Sequence, residues 1–374
     1  ASPGLTDRGL FNLALDALGS LNRTSELIQL FRAMQEGGSR APSADIASFN
    51  IALKHLPVPL MLELFASMRA AGGALKPNAV SFNTVIARLG RAGKAEQAIA
   101  AFDAIALSGL QPSLVSYNAV IAAVAKSPAH AAAAFRFRGT MLQHSQQQPA
   151  LRPDERTINS LLVAAATLGR LDLIATVRED ITRFGIAPSR ALFTSQIAAF
   201  GAARQIGAVL GVVGDMRRAG IEPDVFTYTA VMRAFNKAGD FDQVLALWQQ
   251  MHEDGLKPDA ASYVVLIELL ARAGDVERML KTFRRMRTAQ NVKRMEMVGA
   301  IPVAIVTALA RAPNASVDSL RAFARELEEE GIALDKLSGA ALVEAYARLG
   351  AVDDAVTIYQ SLVRGSLDVT EQTT

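Results

Sequence analysis

Apolar residues recur along this chain at helical spacing. Tyr228, Val231, Met232 and Phe235 stand at i, i+3, i+4 and i+7, one stripe on a helix. Phe82, Val85, Ile86 and Leu89 repeat it, and Tyr263, Leu266, Ile267 and Leu270 repeat it again. RAG or KAG follows each stripe, at Arg91–Gly93, Lys237–Gly239 and Arg272–Gly274. The glycine there predicts a helix that ends in the left-handed conformation. A second stripe then begins with Val244, Leu247, Trp248 and Met251, and its counterparts are LFRAM (Leu30–Met34), LFASM (Leu64–Met68) and TFRRM (Thr282–Met286). Gly-x-x-Pro closes the unit at Gly109–Pro112, Gly185–Pro188, Gly220–Pro223 and Gly255–Pro258. Glycine stops the second helix, and proline blocks its continuation.

The unit repeats. SFNI at Ser48–Ile51, SFNT at Ser81–Thr84, SYNA at Ser116–Ala119, TINS at Thr157–Ser160, TYTA at Thr227–Ala230 and SYVV at Ser262–Val265 are versions of one segment. Taking the residue after the aromatic as an index gives Asn12, Asn50, Asn83, Asn118, Asn159, Thr194, Thr229 and Val264. Their spacings are 38, 33, 35, 41, 35, 35 and 35 residues, so the chain is a tandem array. A two-helix unit cannot bury both stripes alone but can do so against its neighbours, which predicts an all-α solenoid. About ten units fit, without a domain boundary between successive ones. The irregular spacings have visible sources. Ser39–Asp45 lengthens one linker, His55–Pro59 shortens one inter-helix turn, and Gln143–Leu151 reads as an inserted polar loop. After Gln290 the Gly-x-x-Pro closure disappears, although two helix pairs continue to Leu362. Residues 8–294 therefore form the regular array, and 295–374 form degenerate repeats ending in a polar cap at Lys336–Arg364.

Composition removes several chemistries. The chain has no cysteine, which excludes disulfides, thiolate metal sites and cysteine nucleophiles. Its four histidines (His55, His130, His144, His252) are scattered. No Walker loop, GxGxxG, HExxH or G-x-S-x-G is present, so no cofactor and no catalysis are expected. No apolar run reaches the roughly 18 residues of a membrane helix, so a soluble protein is expected. The sequence starts at Ala1 and lacks a signal-peptide pattern, which reads as a mature form or an excised fragment without a transit peptide. Charge is uneven. Met295–Thr374 holds 6 basic and 12 acidic residues, against 33 and 24 before it. The first three-quarters is the part suited to a polyanion. Trp248 and the methionines Met34, Met68, Met216, Met251 and Met286 read as core. Glu326–Glu330 reads as an exposed helix face, and the cluster Lys281, Arg284, Arg285, Arg287, Lys293 and Arg294 as either a solvated face or a nucleic-acid patch.

A 35-residue helix pair with a TYN-type start, a KAG-type turn, an LFxxM second helix and a GLKPD close resembles the pentatricopeptide repeat family. The resemblance runs from about Arg8 to Leu362 and is strongest through Arg294. It implies a right-handed superhelix that binds single-stranded RNA in a mitochondrion or plastid, one base per repeat. The base-reading pairs it implies are Asn12 with Asp45, Asn50 with Asn78, Asn83 with Ser113, Asn118 with Asp154, Asn159 with Ser189, Thr194 with Asp224, and Thr229 with Asp259. By the family's correspondence these favour 5′-U-Y-C-U-C-G-G-3′, and Val264 with Arg294 ends the reading. Val80 and Val115 occupy the base-wedging position, where the other repeats carry Gly9, Ala47, Arg156, Ala191, Phe226 and Ala261. Arg91, Lys126, Lys237 and Arg272 would meet phosphates. Ser20, Val58, Thr167 and Ala202 stand at that position elsewhere.

Two readings of the paired positions stay open. Each closing Asp, Asn or Ser precedes a new helix and is a good N-cap. The index Asn and Thr carry amides or hydroxyls suited to a base edge, in places where alanine would favour the helix more. The alternative to sequence reading is a structural subunit of a large organelle assembly such as a ribosome, with protein partners or rRNA bound without reading.

Overall fold

The computed structural model describes residues 8–36, 41–71, 73–289, 300–312, 315–329, 332 and 335–371, with backbone alone at 300 and 364–371. Every regular element among them is helical. The chain divides into two compact units, Ala1–Ala203 and Arg204–Thr374.

The first unit holds α1 (Arg8–Ser20), α2 (Thr24–Glu36), α3 (Ile46–His55), α4 (Val58–Ala71), α5 (Ala79–Arg91), α6 (Ala95–Leu107), α7 (Leu114–Ala125), α8 (Ala131–Gln147), α9 (Glu155–Leu168), α10 (Leu171–Arg183) and α11 (Arg190–Ala202). Its first helices pack in order, α1 on α3, α3 on α5, α5 on α7, α7 on α9 and α9 on α11. Each second helix lies against its own first helix and against the next one, as α6 does with α5 and α7. The second unit continues with α12 (Ile206–Arg218), α13 (Val225–Ala238), α14 (Phe241–Glu253), α15 (Ala260–Ala273), α16 (Val276–Thr288), α17 (Ala300–Arg311), α18 (Val317–Glu329), α19 (Lys336–Arg348) and α20 (Val352–Glu371). There α13, α15, α17 and α19 form the row of first helices. This is the expected solenoid of stacked hairpins, the α17–α18 and α19–α20 pairs included.

The stripes go where the periodicity put them. Phe82, Val85, Ile86 and Leu89 are buried, as are Tyr228, Val231, Met232 and Phe235, and the five methionines are fully enclosed. Repeats are joined by an aromatic on the second helix that meets the aromatic on the next first helix. Phe31 meets Phe49, Phe65 meets Phe82 and Phe102 meets Tyr117, each at 5.1 Å, and half-buried Trp248 meets Tyr263 at 5.2 Å. Such tilted and edge-on pairs add about 0.5–1.5 kcal/mol beyond area burial. At α5–α7 the backbones approach closely, since a Cβ on Gly90 would lie 2.6 Å from that of Ala123.

Three expectations change. Gln143–Gln147 extends α8 rather than forming a loop, because nothing breaks the helix before Gln148 and Pro149. Of the face Glu326–Glu330, Glu328 and Glu329 are exposed as expected and Glu330 lies outside the described residues, but the Glu326 side chain is only 18% exposed, holding Arg284 at 3.2 Å and Arg287 at 2.5 Å. Those arginines are therefore partly neutralised, while Lys293 and Arg294 lie outside the described residues. The expected cap at Lys336–Arg364 is not wholly polar, because Val352, Val356, Tyr359 and Val363 are exposed along α20 beside Asp353, Thr357, Gln360 and Ser361.

Helix termini follow the punctuation. Gly239 and Gly274 take φ of 86° and 73° at the hairpin turns. Arg204 stands at the same turn position of its repeat with φ of 57°. A left-handed residue with a Cβ costs about 1–2 kcal/mol, part of which glycine would return as unfolded-state entropy. Arg204→Gly is expected to stabilise the chain by about 0.5–1 kcal/mol in urea unfolding, whereas Gly239→Ala lowers stability by about 1 kcal/mol or more.

Candidate nucleic-acid interface

All seven closing residues cap a first helix. Asp45, Asn78, Ser113, Asp154, Ser189, Asp224 and Asp259 each accept the backbone N–H three residues on, at 2.8–3.3 Å. The capping reading is thus established for every one. It does not exclude a second role, because several caps also touch the index residue of the preceding first helix.

The repeats differ in how that contact is made. In the pair Asn118 and Asp154, the amide Nδ2 lies 3.0 and 3.2 Å from the two carboxylate oxygens, and Thr157 donates its hydroxyl to Asn118 Oδ1 at 2.6 Å. Asn50 Nδ2 lies 3.4 Å from Asn78 Oδ1, and Ser81 donates to Asn50 Oδ1 at 2.6 Å. Asn12 Oδ1 accepts from Ser48 at 2.7 Å beside Asp45, which also pairs with Arg8 at 3.5 Å. These hydroxyls face their own caps too, at 2.9–3.1 Å, yet the contact to the preceding Asn is the shorter one each time.

Two index residues are left open. Asn83 Oδ1 and Asn159 Oδ1 are buried without a hydrogen-bond donor. Both belong to repeats closed by serine. The Ser116 hydroxyl oxygen lies 3.1 Å from that of Ser113 and makes no bond to Asn83, and the residue in the equivalent place before Thr194 is Leu192, which has no hydroxyl to give. Ser189 itself donates to Glu155 at 2.6 Å.

The threonine rungs are occupied from within. Thr194 Oγ1 donates to Arg190 O at 2.9 Å. Thr229 is 6% exposed, donates to Val225 O at 2.7 Å and sits 2.8 Å from Ser262 Oγ. Thr194 closes the first unit and Asp224 opens α13 in the second, while Arg294, expected to pair with Val264, lies outside the described residues.

Around these amides the expected accessory groups are accessible. Val80 is 56% exposed and Val115 60%, and at the same register Phe226 is 69% exposed. Phe226 is a flat apolar platform where Val was expected, and an aromatic at that position was the available signal. Arg91, Lys126 and Lys237 are exposed. Arg272 is engaged: it donates to Asn236 O at 2.8 Å and Oδ1 at 3.1 Å and lies over the Phe241 ring. In the second unit Lys237, Arg272 and Arg311 line a hollow of about 690 Å³ together with Glu268. Arg88, next to Arg91, is spent on carbonyls of Lys54 and Leu56, and burial followed by the Arg91 charge lowers its pKa. The row missed in the sequence is Ser48, Ser81, Ser116, Thr157, Thr227 and Ser262, all buried. Its signal was a Ser or Thr two residues before the index in every unit but those with Leu10 and Leu192 there.

Burial alone would raise the Asp45 pKa, but the Ser48 N–H and hydroxyl, Arg8 and Asn12 together hold it below the ordinary carboxylate value. A depressed native pKa means the contribution is complete above about pH 4 and is lost as pH falls through the native value. Asp45→Asn keeps the acceptor and loses the charge, so its unfolding midpoint should fall less steeply with acid than that of the parent. Asp154→Ala removes a cap and strands the Asn118 amide, and is expected to cost about 1–2 kcal/mol in urea unfolding, with Asp154→Asn recovering most of it.

A family model described as pentatricopeptide repeat-containing protein matches residues 155–286 and 259–362, and the PPR repeat family matches 77–126. The crystal structure of the pentatricopeptide repeat protein PPR10 from maize superposes with a TM-score of 0.70 at 18% identity, covering 97% of this chain and 49% of that one. This chain thus spans about half the length of that protein. PPR10 in complex with an 18-nt psaJ RNA element gives 0.48 at 21% identity, over 95% of this chain and 53% of that one. The PPR domain of Arabidopsis thaliana protein-only RNase P 1 in complex with tRNA gives 0.34 at 17%, over 45% and 85%. No curated protein matches the chain. Among the described residues no helix is long and apolar enough to cross a membrane.

Proposed function

The chain belongs to the pentatricopeptide repeat family, and from that premise we propose that it binds single-stranded RNA along its row of first helices. Each index side chain meets one base, and the preferred sequence is 5′-U-Y-C-U-C-G-G-3′. The carrying observation is the pair of buried, unpartnered carbonyl oxygens on Asn83 and Asn159. A buried acceptor without a donor costs about 1–3 kcal/mol, and turning the amide so that its carbonyl meets a base amino group removes that cost. These are the two rungs that the family's correspondence assigns to cytosine, whose N4 amino group is a donor. Exposed Val80, Val115 and Phe226 supply apolar surface for stacking, and exposed Arg91, Lys126 and Lys237 supply charge for phosphates.

The chain acts by occupancy, without catalysis, in a mitochondrion or plastid. Covering a stretch of transcript protects it, guides its processing or keeps a translation start unfolded. A second reading, a structural subunit of a large organelle assembly, is favoured by the enclosed Thr229 hydroxyl, the engaged Arg272 and the exposed apolar side chains of α20. In that case protein or rRNA covers the chain without base selection.

Fluorescence anisotropy with labelled UUCUCGG and a base-scrambled control separates the two. Sequence reading predicts at least about tenfold tighter binding to the first, with affinity falling with salt by about 0.7 log units per phosphate contact for each tenfold rise in salt. Equal affinities contradict it. Thr194→Asn is expected to move the preference at its nucleotide from G towards U, and an unchanged preference there rejects the pairing at that rung.

A further inference from the structure

We propose that the third residue of each first helix orients the index amide of the preceding repeat, and so decides whether that amide offers a base a donor or an acceptor. The inference rests on the RNA reading above and adds to it a determinant outside the two paired positions. Ser48, Ser81 and Thr157 are fully buried, and each donates its hydroxyl to the Oδ1 of the Asn one repeat earlier, at 2.6–2.7 Å. An amide so held has its acceptor filled, and its remaining N–H is the group left for a base carbonyl such as those of uracil. Asn118 is the most constrained case, because Asp154 holds its nitrogen as well.

The contrast is Asn159. Leu192 occupies the hydroxyl's place, is buried itself, and leaves Asn159 Oδ1 without a donor. No bond holds that buried carbonyl inward, so a turn of the amide presents it to a base amino group. At Asn83 the hydroxyl exists on Ser116 but makes no bond to the amide, its oxygen lying 3.1 Å from that of Ser113, with the same result. Three amides are locked and two are open, and the division follows whether a hydroxyl reaches the amide rather than the index residue, which is Asn in all five. A hydroxyl that only capped its own helix would leave the preceding amide indifferent to its presence.

Leu192→Thr adds the missing donor, and Thr157→Val removes an existing one while keeping the side-chain shape. Selective ¹⁵N-asparagine labelling of the full chain reads the amides without RNA, with the Asn159 signal identified by its loss in Asn159→Ser. In Leu192→Thr the Asn159 side-chain signal is expected to shift and its protons to exchange about fivefold more slowly. In Thr157→Val the Asn118 protons exchange faster, and Thr157→Ser restores them. With RNA, Leu192→Thr is expected to lose about fivefold of its preference for C over U at that nucleotide alone. An unchanged Asn159 amide in folded Leu192→Thr overturns the inference, and an altered amide with unchanged base preference overturns its specificity half. Failure of the parent chain to prefer any sequence instead defeats the RNA reading and the specificity half with it, and the amide measurement then decides the orienting role by itself.

Discussion

The junction between one repeat and the next is a buried side-chain hydrogen bond as well as an apolar contact. At the start of a first helix, an Asp, Asn or Ser accepts a backbone N–H that would otherwise be orphaned, and a Ser or Thr three residues on returns a bond to the cap. In Asp45–Ser48, Asn78–Ser81 and Asp154–Thr157 the same hydroxyl reaches back to the amide of the previous repeat. A local device for starting a helix thereby fixes the spacing between helices, and brings the index and closing residues of a repeat within hydrogen-bond distance across the joint. Those are the residues that a base would have to meet.

Apolar packing sets the rest. Several second helices set an aromatic against the following first helix, as Phe65 and Trp248 do, which buttresses the row of first helices from one side. The polar positions next to the buried aromatics are left on one register of that row. The proposed base reading and the stability of the joint would consequently draw on the same atoms. Under the proposed reading, a base would compete with bonds already made where the internal network is complete, as at Asn118 and Thr229, and would complete it where it is incomplete, as at Asn83 and Asn159.

Much of the fold was legible because its signals are periodic. Helix stripes, turn glycines and Gly-x-x-Pro closures each repeat, and a pattern seen several times needs no single strong instance. The extension of α8 was not legible, since Gln143–Gln147 contains neither an apolar stripe nor a breaker and polarity alone reads as loop. The apolar outer face of α20 was hidden for a related reason: Val352, Val356, Tyr359 and Val363 have helical spacing, but spacing does not say which stripe meets a neighbour. At the candidate site the index and closing positions were visible as recurrent polar choices. Their contact was not, because it joins residues 28–36 apart through atoms that only stacking brings together. The engagement of Arg272 with Asn236 escaped notice likewise, as charge counting treats every surface cation as available.

Photo-crosslinking of the full chain to a 4-thiouridine- and 6-thioguanosine-substituted UUCUCGG strand, followed by mass spectrometry of the joined peptides, tests the central claim most directly. The account predicts adducts from the thiouridines at nucleotides 1, 2 and 4 on peptides from the first helices carrying Asn12, Asn50 and Asn118, and from the thioguanosines on those carrying Thr194 and Thr229, in strand order. Adducts confined to second helices, or scattered without order along the chain, would contradict it.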